Sequence, residues 1–92
     1  MQRDLLLLRE MIDAAEQAQA LVAGLAVAEI EADRLRRDAL LWNFTVLGEA
    51  STLVSDETKA RFPAIPWRNP ARLRNRVVRT LRDAAAVLEG EQ

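Results

Sequence analysis

The sequence predicts an all-α protein, an up-and-down bundle of three long helices and one short helix. Apolar residues recur every three or four positions through residues 2–23 and 35–54, which is the period of a helix face. The three glycines and three prolines stand almost entirely between these segments, and no segment alternates as a strand does. At 92 residues, we expect residues 1–92 to form a single domain.

The first predicted helix spans residues 2–23, which contain neither glycine nor proline, and Gly24 supplies a C-terminal stop. Its apolar residues form two adjacent stripes, which is more apolar surface than one neighbouring helix covers. We therefore expect it to lie inside a bundle or against a second chain. One stripe holds Leu5, Leu8, Ile12, Ala15 and Val22, and the other holds Leu7, Met11, Ala14, Ala18, Leu21 and Leu25.

The second predicted helix runs from about Ala28 to Val54, with a polar first half and a second half that is nearly all core. Ser55 then caps a short third helix, Asp56 to Arg61, with acidic residues in its first turn. The apolar residues of the second helix form one stripe of Leu40, Phe44, Leu47 and Val54 and another of Leu35, Ala39, Trp42, Val46, Ala50 and Leu53.

A rigid non-helical link, residues 62–67, follows, because its two prolines exclude a helix. Ile65 and Trp67 are expected to anchor this link to the core. Asn69 is the predicted cap of a fourth helix that runs to about Leu88 and ends at Gly90.

The composition excludes several kinds of chemistry. There is no cysteine, so disulfides, thiol catalysis and cysteine metal sites are excluded, and there is no histidine or tyrosine. The sole lysine, Lys59, lies in a plain polar stretch. We expect no metal and no cofactor. No apolar run approaches the roughly 18 residues of a membrane helix, and the N-terminus is a poor signal peptide, so we expect a cytoplasmic protein without membrane contact.

The net charge of −1 conceals an uneven distribution of charged residues. Residues 34–82 hold eleven basic and four acidic side chains, whereas residues 1–33 hold two basic and seven acidic ones. Such asymmetry favours an acidic partner or nucleic acid held on one face.

The fourth helix is unusually rich in arginine, with six arginines and no acid between residues 68 and 82. Arg74 lies at the boundary of the apolar face, where it forms a structural ion pair with Glu49 or Asp38 or else faces a partner. The other arginines of the helix form either a solvated face or a stripe that contacts phosphates. They lie opposite the apolar face, at Arg72, Arg76, Arg79 and Arg82.

Two stretches, Asn43 to Ala50 and Ile65 to Val78, resemble in order the HepT-like branch of the HEPN superfamily. The resemblance covers residues from about 3 to 78. It implies a homodimeric or higher-order helical bundle that cuts RNA without metal. It also implies a role as the toxin of a HEPN/MNT toxin–antitoxin pair, whose antitoxin is a nucleotidyltransferase.

The catalytic signature implied by the resemblance is incomplete. Arg74 matches the family arginine and Asn75 its polar neighbour, but Arg79 stands where the histidine belongs and Leu81 where a tyrosine belongs. In the family, the antitoxin can modify that tyrosine with AMP. Residues 79–92 depart from the family pattern, as an altered reading frame or a naturally degenerate copy would.

The chemistry argues against full nuclease activity. Cleavage by attack of the 2′-hydroxyl needs a group that accepts its proton, and arginine stays protonated at neutral pH. Arg79 can stabilise phosphate charge but cannot replace a base. We therefore expect RNA binding with little or no cleavage, through Arg72, Arg76 and Arg82 beside the Arg74–Asn75–Arg79 site. The alternative is a catalytically silent module for dimerisation, antitoxin binding or RNA binding.

Overall fold

The computed structural model describes residues 2–68 and 85–91. These residues form helices and connecting turns with no strand, which confirms the all-α prediction. Residues 69–84, which include the predicted start of the fourth helix at Asn69, lie outside the described part. The helices are α1 (Gln2–Val22), α2 (Val27–Ala32), α3 (Arg34–Leu53) and α4 (Asp56–Arg61), and residues 85–90 form a further helical segment.

Helix α1 ends as the sequence predicts. Gly24 has a φ of +72°, a left-handed conformation that glycine adopts without the strain a side chain would add. The amide of Leu25 turns back to donate to the carbonyl of Val22 at 3.1 Å. The chain therefore leaves α1 through a tight turn that directs it towards α2.

The prediction of one helix from Ala28 to Val54 is wrong, because the chain breaks at Asp33. Asp33 has φ −98° and ψ 95°, and it ends α2 while capping α3. Its carboxylate accepts a hydrogen bond from the backbone N–H of Arg36 at 3.1 Å, which satisfies an otherwise unpaired donor of the first turn. That backbone hydrogen bond lowers the pKa of Asp33 below its ordinary value.

Helix α1 packs along α3, and the helical segment 85–90 covers α1 further. Leu47 in α3 is fully buried, and Ala85 and Leu88 complete the core from the end of the chain. Both stripes of α1 are covered within its own chain, because the residues of both are buried or half-buried. The buried residues of α1 are Asp4, Leu5, Leu8, Met11, Ala14, Ala15 and Ala18.

The expectation that the second half of α3 is nearly all core is also wrong. Leu41, Trp42 and Leu53 remain more than half exposed. The physical reason is that α1 covers only one side of α3. Ala50 of the second stripe is buried on that side and Val46 packs against the core, whereas Leu35, Trp42 and Leu53 lie on another side of the helix. We call the exposed residues Leu35, Trp42 and Leu53 the outer face of α3.

A buried hydrogen-bond cluster joins the start of α1 to the start of α4. The Asp4 side chain accepts from the Ser55 amide at 3.1 Å and from the hydroxyls of Ser55 and Thr58 at 2.6 Å each. Asp4 is only 4% exposed. Burial alone raises the pKa of Asp4, but the hydrogen bonds from Ser55 and Thr58 outweigh it and leave the pKa below its ordinary value.

Ion pairs hold the end of the chain against the helices before it. The Arg61 guanidinium donates to both carboxylate oxygens of Glu91, one of them at 3.0 Å, and Arg9 pairs with Glu89. The Glu91 hydrogen bond raises the pKa of Arg61, and in turn lowers the pKa of Glu91. Within residues 2–68 and 85–91, no helix has the length and apolar character needed to span a membrane.

Candidate functional site

The predicted catalytic and RNA-binding residues lie in the part of the chain outside the described residues. This holds for Arg74, Asn75 and Arg79 and for the arginines of the predicted stripe, so their roles stay predictions. The described part does contain Arg68, the first of the six arginines, which is exposed. The arginines of the stripe outside the described residues are Arg72, Arg76, Arg79 and Arg82.

The link that leads into the arginine-rich stretch is firmly attached to the core, as the sequence predicts. Ile65 is buried, and Trp67 packs half-buried against the core. The indole Nε1 of Trp67 donates to the carbonyl of Phe62 at 3.1 Å, and the buried Ser51 hydroxyl donates to the carbonyl of Trp67. These contacts fix both the ring and the backbone of Trp67 immediately before Arg68.

A surface pocket of about 390 Å³ opens where α3, α4 and this link meet. We call it the cationic pocket, because two of its lining side chains are a lysine and an arginine. A threonine, a tryptophan and a glycine complete the described lining. The residues are Gly48, Thr52, Lys59, Trp67 and Arg68.

Hydrogen bonds along one side of the cationic pocket position its polar groups. The Thr52 hydroxyl donates to the carbonyl of Gly48 at 2.9 Å, and Lys59 Nζ lies 3.5 Å from the carbonyl of Thr52. None of the five described lining residues carries a carboxylate. Glu49 instead lines an adjoining pocket of about 290 Å³ with Thr52 and Leu53, so the negative charge lies on the other side of Thr52. The cationic pocket therefore suits an anionic ligand.

The two carboxylates suggested as partners of Arg74 lie on α3. Asp38 lies 3.7 Å from Arg34 and 3.9 Å from Arg37, both on the same helix. Glu49 is exposed beside the outer face. Whether either one pairs with Arg74 falls outside the described residues.

Within the ranges 2–68 and 85–91, no cluster of three metal-binding side chains is present. The outer face of α3 is the other unusual surface of the described part. Leu35 is 85% exposed, Trp42 67% and Leu53 54%, which is costly for a face left in water.

Sequence reasoning missed the cationic pocket. Lys59 stands in a plain polar stretch, and Thr52 is an ordinary exposed position of a helix. The sequence predicts Trp67 only as a core anchor. No local sequence pattern connects these residues, because they are far apart in sequence. They meet only because the proline-containing link brings Trp67 and Arg68 back to α3. A usable signal was the pairing of Trp67 with the adjacent cation, Arg68.

Comparison with known proteins gives one match. A family model described as Ribonuclease HepT-like matches residues 11–82, more than half of the chain. The matched range contains the cationic pocket, the outer face of α3 and all the predicted site residues. Searches of curated proteins and of solved structures found no match.

Proposed function

Because the chain belongs to the HepT-like ribonuclease family, we propose that it is the toxin component of a HEPN/MNT toxin–antitoxin system with impaired nuclease activity. The observation that carries this proposal is the family match over residues 11–82, which includes the Arg74–Asn75 pair of the signature. Its place of action would be the cytoplasm, where RNA and the antitoxin meet.

The impairment follows from the residue at position 79. Metal-independent cleavage needs a side chain that takes the proton of the attacking 2′-hydroxyl, and positioned acid–base catalysis contributes about 10²–10⁴-fold to such a rate. Arg79 retains its proton at neutral pH, and the chain contains no histidine to substitute for it. Arg74 and Arg79 can still stabilise the charge of the phosphate. The protein should therefore bind RNA and cleave it slowly.

Control by the antitoxin must also differ from that of a family member with the complete signature. The chain has Leu81 where the family has tyrosine, and it contains no tyrosine elsewhere. Transfer of AMP to a tyrosine is therefore closed to this chain, and only noncovalent contact with a nucleotidyltransferase antitoxin remains. The absence of histidine favours a second candidate function, a catalytically silent module that keeps dimerisation, antitoxin contact or RNA binding.

A homodimer is part of the proposal, and the outer face of α3 is its interface. Both stripes of α1, which the sequence predicts to lie inside a bundle or against a second chain, are covered within one copy. The outer-face residues Leu35, Trp42 and Leu53, in contrast, stay exposed within one copy. Burying them against a second copy would remove a large apolar surface from water, which is the main favourable term in association.

The spacing along α3 suits a two-fold antiparallel pair. Along the proposed seam, successive residues are alternately four and three positions apart, as in a coiled coil. The order of these spacings is the same from either end of the helix. In an antiparallel pair, Leu35 of one copy lies opposite Leu53 of the other, and Glu49 lies opposite Ala39 rather than a second glutamate. The seam consists of Leu35, Ala39, Trp42, Val46, Glu49 and Leu53.

The decisive experiment is an RNA cleavage assay in the presence of a metal chelator. It compares four proteins: the natural chain, Arg79→Ala, Arg79→His, and Arg79→His combined with Leu81→Tyr. We expect little cleavage by the natural chain or Arg79→Ala, and an increase of about 10²-fold or more when the histidine is restored. Robust cleavage that survives Arg79→Ala would contradict the assigned chemistry. If RNA binds but the restored variants stay inactive, the silent module is the better account.

A further inference from the structure

We propose that the cationic pocket is a binding subsite for one nucleotide unit of single-stranded RNA. In this assignment, Lys59 and Arg68 contact phosphate oxygens and the Trp67 indole contacts the base. The inference rests on the proposed function and adds to it, because the pocket lies apart from the Arg74–Asn75 signature in sequence and uses different residues.

The charge and composition of the pocket support a nucleotide over other anions. Single-stranded nucleic acids are held where a positive groove follows the backbone and an aromatic ring receives a base. Lys59 and Arg68 supply the charge, and Trp67 supplies the ring within the same volume of about 390 Å³. That volume is within the usual range of small-ligand pockets, about 300–1,000 Å³. A bare phosphate would need the cations but not the indole.

The Trp67 ring is held in place before any ligand arrives. Its Nε1–H is already used by the Phe62 carbonyl, so the ring offers the pocket an apolar surface rather than a hydrogen-bond donor. The Ser51 hydroxyl holds the backbone of the same residue. A contact made through a fixed ring loses less conformational entropy on binding than one made through a mobile side chain. The contact is also tolerant of base identity, because every base has a π-face.

The side of the pocket on which the RNA strand lies follows from the surrounding charge. Arg68 is both part of the pocket and the first residue of the stretch to Arg82 that has six arginines and no acid. Glu49 lies on the opposite side of Thr52, in the adjoining pocket. An RNA strand in the cationic pocket is therefore attracted by Lys59 and Arg68 and repelled from the side of Thr52 where Glu49 lies.

The test uses the tryptophan fluorescence of the full chain. The chain contains two tryptophans and no tyrosine, so the Trp42→Phe variant, which keeps an apolar aromatic ring in the α3 seam, leaves Trp67 as the only strong fluorophore. Titration with an eight-nucleotide oligoadenylate should quench or shift the emission of Trp67. An abasic phosphodiester of the same length and a short polyglutamate serve as the two comparison ligands. The abasic strand should bind about tenfold more weakly, in keeping with the strength of base–aromatic contacts.

Charge variants in the same background provide matched controls. Thr52→Glu places a carboxylate in the pocket, and Thr45→Glu places one at an exposed threonine of the same helix whose hydroxyl likewise donates four residues back. We expect Thr52→Glu to weaken oligoadenylate binding by about fivefold or more, and Thr45→Glu by less than about twofold. Lys59→Gln should reduce the slope of the logarithm of the binding constant against the logarithm of salt concentration by the amount expected for about one lost phosphate contact. Arg34→Gln, at an exposed arginine, should leave this slope unchanged.

The outcomes separate this inference from the proposed function. If RNA binds but Thr52→Glu and Lys59→Gln match their controls, the subsite is refuted and the proposed function stands. Equal binding of the abasic strand refutes the role of Trp67 in base contact. If polyglutamate changes the emission and RNA does not, the pocket is a protein-binding site. Absence of any RNA binding at low salt contradicts both proposals.

Discussion

The inner and outer faces of α3 both carry apolar residues, but only the inner face is covered within one copy. The inner face buries Leu47 and Ala50 against α1, while the outer face leaves Leu35 and Trp42 in water. Both faces have apolar residues at helical spacing, so their difference arises from what packs on them and not from their composition. A stripe of apolar residues thus identifies a face that tends to be covered, and only the fold shows whether the same chain covers it.

Polar groups sharpen the difference between the faces. On the inner side, Asn43 is buried and donates to the Ala39 carbonyl at 2.9 Å, and Ser51 is buried and bonded to Trp67. Among the described residues, no buried polar side-chain atom is left without a hydrogen-bond partner. Such completeness makes the inner side intolerant of substitution, because each loss leaves a partner unsatisfied. The outer face has no comparable constraint within one copy.

The largest effect should come from truncating the inner face. Leu47→Ala removes a fully buried side chain, and we expect it to lower the free energy of unfolding by about 3 kcal/mol. Leu41→Ala, at a leucine of the same helix that is 56% exposed, should change it by less than about 1 kcal/mol. Urea unfolding followed by circular dichroism measures both variants. Equal losses would mean that the two positions are covered alike in solution.

The next largest effect should come from the cluster that holds α1 to α4 beside α3. Asp4→Asn replaces a buried acceptor with an amide that also donates, and we expect a loss of about 2–3 kcal/mol at pH 7. Asp13→Asn, at an exposed position on α1 that bonds only locally to Gln17, should cost less than about 0.5 kcal/mol. Comparable losses in the two variants would contradict the structural role of Asp4.

The contribution of Asp4 should also depend on pH with a definite sign. Its pKa in the folded state is lower than in the unfolded state, so the stabilisation is present above the unfolded pKa of about 3.9 and disappears as the pH falls through the folded value. The difference in stability between the natural chain and Asp4→Asn should therefore be constant near neutral pH and narrow below about pH 4. A difference that grows on acidification would overturn the assignment.

A charge on the outer face should dissociate the proposed dimer without unfolding the chain. We expect Leu35→Glu to weaken self-association at least about tenfold, roughly 1.4 kcal/mol, because two carboxylates then enter the seam. Leu6→Glu is the matched control, since Leu6 is a 59%-exposed leucine on α1 and outside the seam. Sedimentation equilibrium measures both. A natural chain that stays monomeric at micromolar concentration would remove the outer face as an interface.

Much of this fold was predictable, because its determinants are local. Gly24 ends α1, Ser55 caps α4, and the prolines after Phe62 keep the link that follows α4 non-helical, each through the geometry of its own residue. The break at Asp33 was missed because the flanking residues are good helix formers, and a capping aspartate resembles any other polar helix residue. The cationic pocket was missed because it joins residues that are distant in sequence, and only tertiary packing brings them together.

The smallest effect on stability should come from the N-terminal cap of α3, Asp33. If the Asp33 side chain is the cap that stops one continuous helix, Asp33→Asn should keep most of the stability, since asparagine also accepts the Arg36 amide. Asp33→Ala should have a lower melting temperature than Asp33→Asn. The difference between these two variants should be smaller than the loss of melting temperature caused by Asp4→Asn. Thermal melts with far-ultraviolet circular dichroism follow both. Equal melting of the two variants, with unchanged helix content in Asp33→Ala, would show that the Asp33 side chain does not stop the helix. The break would then depend on the contact of the Arg36 guanidinium with the Leu21 carbonyl at 2.7 Å and not on the cap.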